Sequence, residues 1–341
     1  MKPLLLRCEA NATLGTGHAL RCLALAQEWH RRGGRAVFAM SAPEPAIVER
    51  LTRGGFATHE LRAEAGSAAD AVETRGLAQR LEAEWTVVDG PAFGPEWERA
   101  WAEDGRLLRI DDNGFSRPFR ADLLLNQNLG ATAGDYPRAA ADCRLLLGPA
   151  YALLRPEFLA MTRVERRNRI LVTLGGSDPA RATERMLAAL EREPARDLSA
   201  DFIIGGANPR RAELLAAIAA AAPRLTAVVA PHDLPTRFAR AAFAVTAGGT
   251  TLYELALLRT PLLVLCTAEN QRRTCEQFAA AGAARYLGWH EELEPDRLAE
   301  ALAEFASAAS LHAELAARAA ALVDGRGAAR VVDEMPGGAA R

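Results

Sequence analysis

At 341 residues the chain exceeds what one hydrophobic core usually serves, so two domains are expected. Half of the residues are hydrophobic, a quarter are charged and the formal net charge is -2. This composition fits a globular protein and excludes the strong basic field of a nucleic-acid binder. Five cysteines, at positions 8, 22, 143, 266 and 275, form no Cys-x-x-Cys pair and are odd in number, which argues against a disulfide framework and a structural zinc site. No apolar run approaches the ~20 residues of a membrane span, and the run at 4–6 is too short for a signal peptide. A cytoplasmic location with reduced thiols is expected.

In chain order, residues 4–6 read as a first strand and 22–27 as a helix. Between them lies Gly15-Thr16-Gly17-His18-Ala19-Leu20-Arg21. Glycines there allow a sharp turn and close approach of backbone N–H groups to a ligand. The following helix start favours an anion, and His18 can exchange a proton near neutral pH. The plain alternative for His18 is capping or packing. The turn is neither a full dinucleotide fingerprint, since Leu20 stands where the third glycine belongs, nor a Walker loop, since no Gly-Lys-Ser/Thr follows.

Strands are expected at 36–40, 56–61, 85–89, 106–110, 121–128 and 143–149, and helices at 43–51, 68–84 and 97–101. This alternation implies a mostly parallel sheet covered on both faces. Several strands end in polar residues, among them Asp89, Asp111, Asp112, Asn126 and Asn128. Such ends face ligand crevices in open α/β sheets, although turn and cap chemistry explains any single one as well. Asp111 and Asp112 are adjacent, and neighbouring strand side chains point to opposite faces, so they make a poor chelate.

The polar stretch 156–169 reads as a linker. A second series then begins, with strands at 170–174, 201–204, 225–229, 242–246, 261–265 and, at the edge, 285–288, and helices from after Pro179 through Leu190 and at 210–221, 273–281, 294–303 and 310–322. Glycine turns follow three of these strands: Gly175-Gly176, Gly205-Gly206 and Gly248-Gly249. None contains lysine, and no Asp-x-Asp pair stands out. A metal-independent diphosphate site, held mainly by backbone, is expected. Glu254 reads as a cap or as an acceptor for two adjacent hydroxyls such as a ribose diol. Asn270 and Gln271 sit where an amide pair can meet phosphate oxygens without adding charge. The domains are expected at 1–155 and 170–325, followed by a tail at 326–341, fraying after about Met335.

Six ordered motifs between residues 15 and 271 resemble PseG-type UDP-sugar hydrolases. They are Gly15-x-Gly17-His18-x-x-Arg21; Asp122-Leu123-Leu124-Leu125-Asn126-Gln127-Asn128; Leu147-Gly148-Pro149-x-Tyr151-Ala152-Leu153-Leu154-Arg155-x-Glu157-Phe158; Leu174-Gly175-Gly176-Ser177-Asp178-Pro179; Ala247-Gly248-Gly249-Thr250-Thr251-x-x-Glu254; and Ala268-Glu269-Asn270-Gln271. The resemblance implies the α/β GT-B fold of the MurG-like superfamily, with two Rossmann-like domains whose mostly parallel sheets face across a cleft. It implies an N-terminal sugar and catalytic domain and a C-terminal UDP domain.

The activity it implies is metal-free, cofactor-free hydrolysis of UDP-2,4-diacetamido-2,4,6-trideoxy-β-L-altropyranose, with inversion, in the pseudaminic acid biosynthesis that feeds flagellin glycosylation. His18 is then the general base. Arg21 holds the sugar or stays structural, and Asp89 orients the sugar or the histidine. Glu254 falls on the ribose, with Gly249, Thr250, Asn270 and Gln271 near the phosphates. Gly17, Asn126, Tyr151, Gly175, Gly176 and Gly248 complete the expected substrate and UDP contacts. The partners are a UDP-sugar and water, and a monomer is expected. At Asp89-Gly90-Pro91-Ala92-Phe93-Gly94 the family's aromatic and second acid are missing, and Asp111-Asp112-Asn113-Gly114 replaces a more apolar continuation. Both departures concern the sugar. A GT-B glycosyltransferase and a non-catalytic nucleotide-sugar binder remain the alternatives.

Overall fold

The computed structural model describes residues 2–11, 14–101, 105–114, 119–139, 142–162 and 164–335. The chain divides into two compact units, Met1–Arg155 with Gly325–Arg341, and Pro156–Asp324. The first runs β1 (Leu4–Cys8), α1 (Gly17–Arg31), β2 (Ala36–Ser41), α2 (Pro45–Arg53), β3 (Ala57–Leu61), α3 (Ala68–Arg80), β4 (Trp85–Asp89), α4 (Pro95–Trp101), β5 (Arg106–Ile110), β6 (Leu123–Asn126) and β7 (Arg144–Leu147). Its seven strands pair in parallel in the order β3-β2-β1-β4-β5-β6-β7.

The second unit runs α5 (Pro156–Leu159), β8 (Ile170–Thr173), α6 (Ala182–Leu190), β9 (Ala200–Ile204), α7 (Arg211–Ala221), β10 (Leu225–Val229), α8 (Leu234–Arg240), β11 (Phe243–Ala247), α9 (Thr251–Leu257), β12 (Leu262–Cys266), α10 (Arg272–Ala280), β13 (Arg285–Trp289), α11 (Pro295–Ser307) and α12 (Ala309–Leu322). Its sheet is also parallel, in the order β10-β9-β8-β11-β12-β13.

The burial pattern explains why these strands read as unbroken apolar runs. Every residue of β1, β4, β11 and β12 is buried, because helices cover both faces of each sheet. The edge strands β3 and β13 are more open. In both sheets the strand order reverses beside the first strand of the unit, at β1/β4 and at β8/β11. In open α/β sheets ligands bind outside the carboxyl ends of strands at such a reversal.

Arg7 is the exception in β1. Its side chain is fully buried and would be costly without partners. Nε and Nη2 donate to the two carboxylate oxygens of Asp70 on α3 at 2.8 and 3.0 Å, and Nη1 donates to Glu9 at 2.5 Å. The guanidinium also lies over the Phe93 ring, 4.7 Å from its centre. Burial opposes its charge, but the two carboxylates outweigh burial and raise its pKa.

Three segments depart from the sequence reading. Residues 156–159, expected in the linker, form the turn of helix α5, and Phe158 is buried against Phe238 with ring centres 5.6 Å apart. The seven-residue α8 was not expected; Pro235 stands in its first turn, where a missing N–H costs nothing. Residues expected in a tail from 326 instead form α13 (Gly327–Asp333), which packs on α1 through Ala328, Val331 and Val332. Arg32 and Arg144 tie this helix down by pairing with Asp333 and Glu334 at 2.6 Å each. The fraying expected after Met335 lies outside the described residues.

A Cβ on Gly327 would stand 2.1 Å from the Ala152 carbonyl oxygen. Gly327→Ala is therefore expected to cost about 1–3 kcal/mol by overpacking. Urea denaturation checks it, and an unchanged midpoint would contradict the packing described.

Candidate active site

The site grows from the turn between β1 and α1. Gly15 has φ +74, a conformation L-residues rarely adopt, and the turn delivers Gly17 and His18 to the start of α1. On a helix, positions i, i+3 and i+4 share a face, so His18, Arg21 and Cys22 point the same way. The neighbouring strand β4 is in register Cys8 to Asp89, which sets the last residue of β4 beside the start of that turn.

Asp89 is fully buried and is the hub. Its Oδ1 lies 2.9 Å from His18 Nδ1 and accepts from Arg21 Nη2 at 2.5 Å. Its Oδ2 accepts from Arg21 Nε at 2.6 Å and from the Cys22 thiol at 3.6 Å. Arg21 turns its remaining edge to a second carboxylate. Nη1 and Nη2 donate to the two oxygens of Asp112 at 2.7 and 2.9 Å, and Asn128 Nδ2 donates to Asp112 Oδ1 at 3.1 Å. One guanidinium is thus gripped by two bidentate carboxylates, the strongest form of this contact.

Burial raises the Asp89 carboxyl, but Arg21 first and His18 second outweigh it and hold it well below the usual carboxylate range. Asp112 is lowered in the same way: burial opposes, Arg21 prevails. Arg21 is raised well above its ordinary value, because the two acids overcome its own desolvation.

His18 Nδ1 has two neighbours, the Asp89 carboxylate at 2.9 Å and Arg21 Nη2 at 3.2 Å. A carboxylate accepts and a guanidinium donates, so Nδ1 satisfies one of them. Arg21 Nη2 is already engaged by both acids, so Nδ1 carries its proton toward Asp89. Nε2 is then the bare nitrogen of a partly exposed ring, able to accept a proton. A carboxylate on the far nitrogen stabilises the imidazolium that results.

The other expected residues divide into groups. The Asn126 side chain is buried and committed: Nδ2 donates to Tyr136 at 2.8 Å, and Oδ1 accepts from the Asn128 N–H at 3.0 Å. It shapes the turn that carries Asn128 to Asp112. Tyr151 packs against the first core from a short 3-10 turn at Pro149–Tyr151.

In the second unit Gly175-Gly176 and Gly248-Gly249 follow β8 and β11 and so flank the strand reversal. Gly175 has φ +104. A Cβ on Gly205 would meet the Gly176 carbonyl oxygen at 2.0 Å, so these two turns touch backbone to backbone. A Cβ on Gly248 would meet Cys275 Sγ at 2.5 Å, whereas Gly249 and Gly17 face open space. Gln271 Oε1 accepts from the Gly248 N–H at 3.3 Å and from the Thr267 hydroxyl at 3.0 Å, so Gln271 clamps the glycine turn. Asn270 is exposed beside it, and Glu254 is buried on α9 behind Thr250. The start of α6 is occupied: Asp178 accepts from the N–H groups of Ala182 and Thr183 at 2.9 and 3.0 Å.

Asp112 and Asn128 belong to the His18 cluster; the sequence reading named both, with Asp89, as polar strand ends but did not join them to Arg21. Strand β5 ends at Ile110, so strand alternation does not govern the two acids that follow. Asp111 Oδ2 accepts from the N–H groups of Asn113 and Gly114 at 3.1 and 2.7 Å and from the Tyr136 hydroxyl at 2.8 Å, while Asp112 turns to Arg21. Among the described residues no group of three or more His, Cys, Asp or Glu is placed to hold a metal ion. No helix among them is long and apolar enough to cross a membrane.

No family model matches the chain. It is 34% identical over 194 residues to the spore coat polysaccharide biosynthesis protein SpsG of Bacillus subtilis, covering 55% of this chain and 57% of that protein. It is 26% identical over 180 residues to the UDP-2,4-diacetamido-2,4,6-trideoxy-β-L-altropyranose hydrolase of Campylobacter jejuni, covering 51% of this chain and 61% of that one. The crystal structure of Acinetobacter baumannii MurG superposes with TM-score 0.66 at 15% identity, covering 98% of this chain and 99% of MurG. The chain is a homologue of the first two proteins and has the GT-B fold. The matches span less than two thirds of the length of either of these curated relatives.

Proposed function

We propose that the chain hydrolyses a UDP-linked diacetamido-trideoxy sugar at the anomeric carbon, releasing UDP and the free sugar, and that the substrate is the one in the Campylobacter relative's name. The observation that carries this reading is the His18–Asp89–Arg21 cluster, with Nδ1 held at 2.9 Å from a buried carboxylate and Nε2 bare. Homology to a protein named as this hydrolase supports the substrate.

Water attacks C1 of the sugar while His18 Nε2 takes its proton. The new C1–O bond forms as the bond from C1 to the phosphate oxygen breaks, and UDP leaves with the electron pair. Attack from the face opposite the leaving group inverts C1. Asp89 stabilises the imidazolium; Arg21 fixes Asp89, and Asp112 with Asn128 fixes Arg21. Backbone N–H groups at Gly249 and Thr250 take the diphosphate, with Glu254 accepting from the ribose hydroxyls. The site acts without a divalent ion or cofactor. The free sugar is of the kind that enters pseudaminic acid synthesis.

Hydrolysis in oxygen-18 water tests the bond cleaved. Mass spectrometry is expected to find the label in the sugar and none in UDP. Label in UDP would overturn attack at C1, and UDP release that requires a sugar acceptor would make the protein a transferase. Glu254→Ala is expected to weaken UDP binding about tenfold to a hundredfold, by loss of a charge-assisted hydrogen bond. Calorimetry reads this directly, and unchanged affinity would remove Glu254 from the ribose.

A further inference from the structure

At the carboxyl end of β1 a cavity of 680 Å³ opens between Glu9, Asn11, Ser41 and the turn at 62–65 that follows β3. The volume lies within the range of small-molecule sites and leaves room for a sugar ring. Glu9 is only 2% exposed yet lines this cavity. Its Oε1 accepts from Arg7 Nη1 at 2.5 Å and from the Ser41 N–H at 3.0 Å. Its Oε2 accepts no hydrogen bond among the described residues and is not sealed from solvent, so it opens to the cavity with its accepting capacity unused. The surroundings are saturated by comparison: the Ser41 hydroxyl donates to the Ala63 carbonyl at 2.9 Å and accepts from Arg7 Nη2 at 3.1 Å.

Charge selects the ligand. Arg7 faces two carboxylates, Glu9 and Asp70, and the rim adds Glu60 and Glu64 against Arg62, so the cavity is net acidic. It repels a phosphate and suits a neutral group that donates. Cys8 is in register with Asp89, so Glu9, the next residue, lies on the same sheet edge as the His18–Asp89 pair.

We propose that this cavity is a sugar subsite in which Glu9 Oε2 accepts a hydrogen bond from a hydroxyl or acylamino N–H of a pyranose. The placement of that sugar near the chemistry rests on the function proposed above; the binding chemistry does not. The sugar is either the one carried by the nucleotide or a second, accepting sugar.

The test is an amide NMR titration of the full chain with N-acetyl-D-glucosamine, for the wild type, Glu9→Gln and Ala65→Trp. In Glu9→Gln the donors of Arg7 and Ser41 hold the amide oxygen inward, so an NH₂ replaces the accepting Oε2. Ala65→Trp narrows the cavity from the opposite turn and leaves the Arg7 network intact, which keeps the test valid if Glu9→Gln folds poorly. Wild-type shifts at the Ser41 and Ala63 amides are expected, at least tenfold weaker in affinity in both variants. Unmoved amides in the wild type, or equal affinity in both variants, would overturn the subsite.

Steady-state kinetics then separate the sources. A tenfold higher KM for the nucleotide sugar without acceptor, with UDP affinity unchanged, assigns the cavity to the nucleotide's own sugar. Unchanged hydrolysis with lost stimulation by added sugars assigns it to an acceptor. A wild type that binds the probe and releases no UDP from any nucleotide sugar refutes the proposed hydrolase and leaves the subsite standing.

Discussion

His18→Ala is expected to lower kcat for UDP release by about 10²- to 10⁴-fold, the range for a positioned general base, while leaving UDP affinity unchanged. The separation follows from where the residue stands. His18 belongs to the first unit, whereas the Gly248-Gly249 turn proposed to hold UDP follows β11 of the second. The imidazole is partly exposed and, among the described residues, its hydrogen-bond partners are Asp89 and Arg21, which hold each other without it. Stability is therefore expected to change little. Stopped UDP release with intact UDP binding by calorimetry is the predicted result. Full turnover in the variant would remove His18 from the chemistry.

Arg21→Met is expected to be the most damaging single change to stability, at about 3–5 kcal/mol near pH 7, because it strips the cation from a buried ionic cluster. Asp89 and Asp112 would then lose the cation they share, leaving among the described residues His18 beside Asp89 and the Asn128 amide on Asp112. In the wild type Arg21 holds both carboxyls below their ordinary range, against the pull of burial. A carboxyl depressed on folding adds stability that is complete above its unfolded value, about 3.9, and is lost as pH falls below that toward the folded value. The wild type is therefore expected to weaken below about pH 4. In Arg21→Met the two unneutralised carboxyls are raised instead, so its deficit should grow as pH climbs from 3 to 7. Urea titrations at several pH values measure both slopes. A deficit that does not depend on pH would mean that Arg21 acts through packing alone.

Much of this was legible in the chain because strands buried on both faces read as unbroken apolar runs, and glycine turns punctuate them. His18 and Arg21 sit at i and i+3 of a helix start, and Asp89 closes an apolar strand, so each was visible alone. Their meeting depends on the β1/β4 pairing, which local pattern does not encode. Asp112 and Asn128 were visible with Asp89 as polar strand ends, but their contact with Arg21 was not, because both lie beyond strand ends, where turn conformation directs the side chain. Asn126 and Gln271 carry the amides expected of ligand contacts but spend them on neighbouring turns. Arg7, Glu9 and Asp70 left no local sign, since their network joins residues 63 positions apart. The return of α13 to the first unit was masked by its Gly- and Ala-rich composition, which is what lets Gly327 sit against the Ala152 backbone.

The most direct test of the central claim is phosphorus NMR of the purified protein with UDP-2,4-diacetamido-2,4,6-trideoxy-β-L-altropyranose, with EDTA and with no added acceptor. The diphosphate resonances of the substrate are expected to give way to those of free UDP, and His18→Ala should leave them in place. Intact substrate with the wild-type protein would contradict hydrolysis of this sugar.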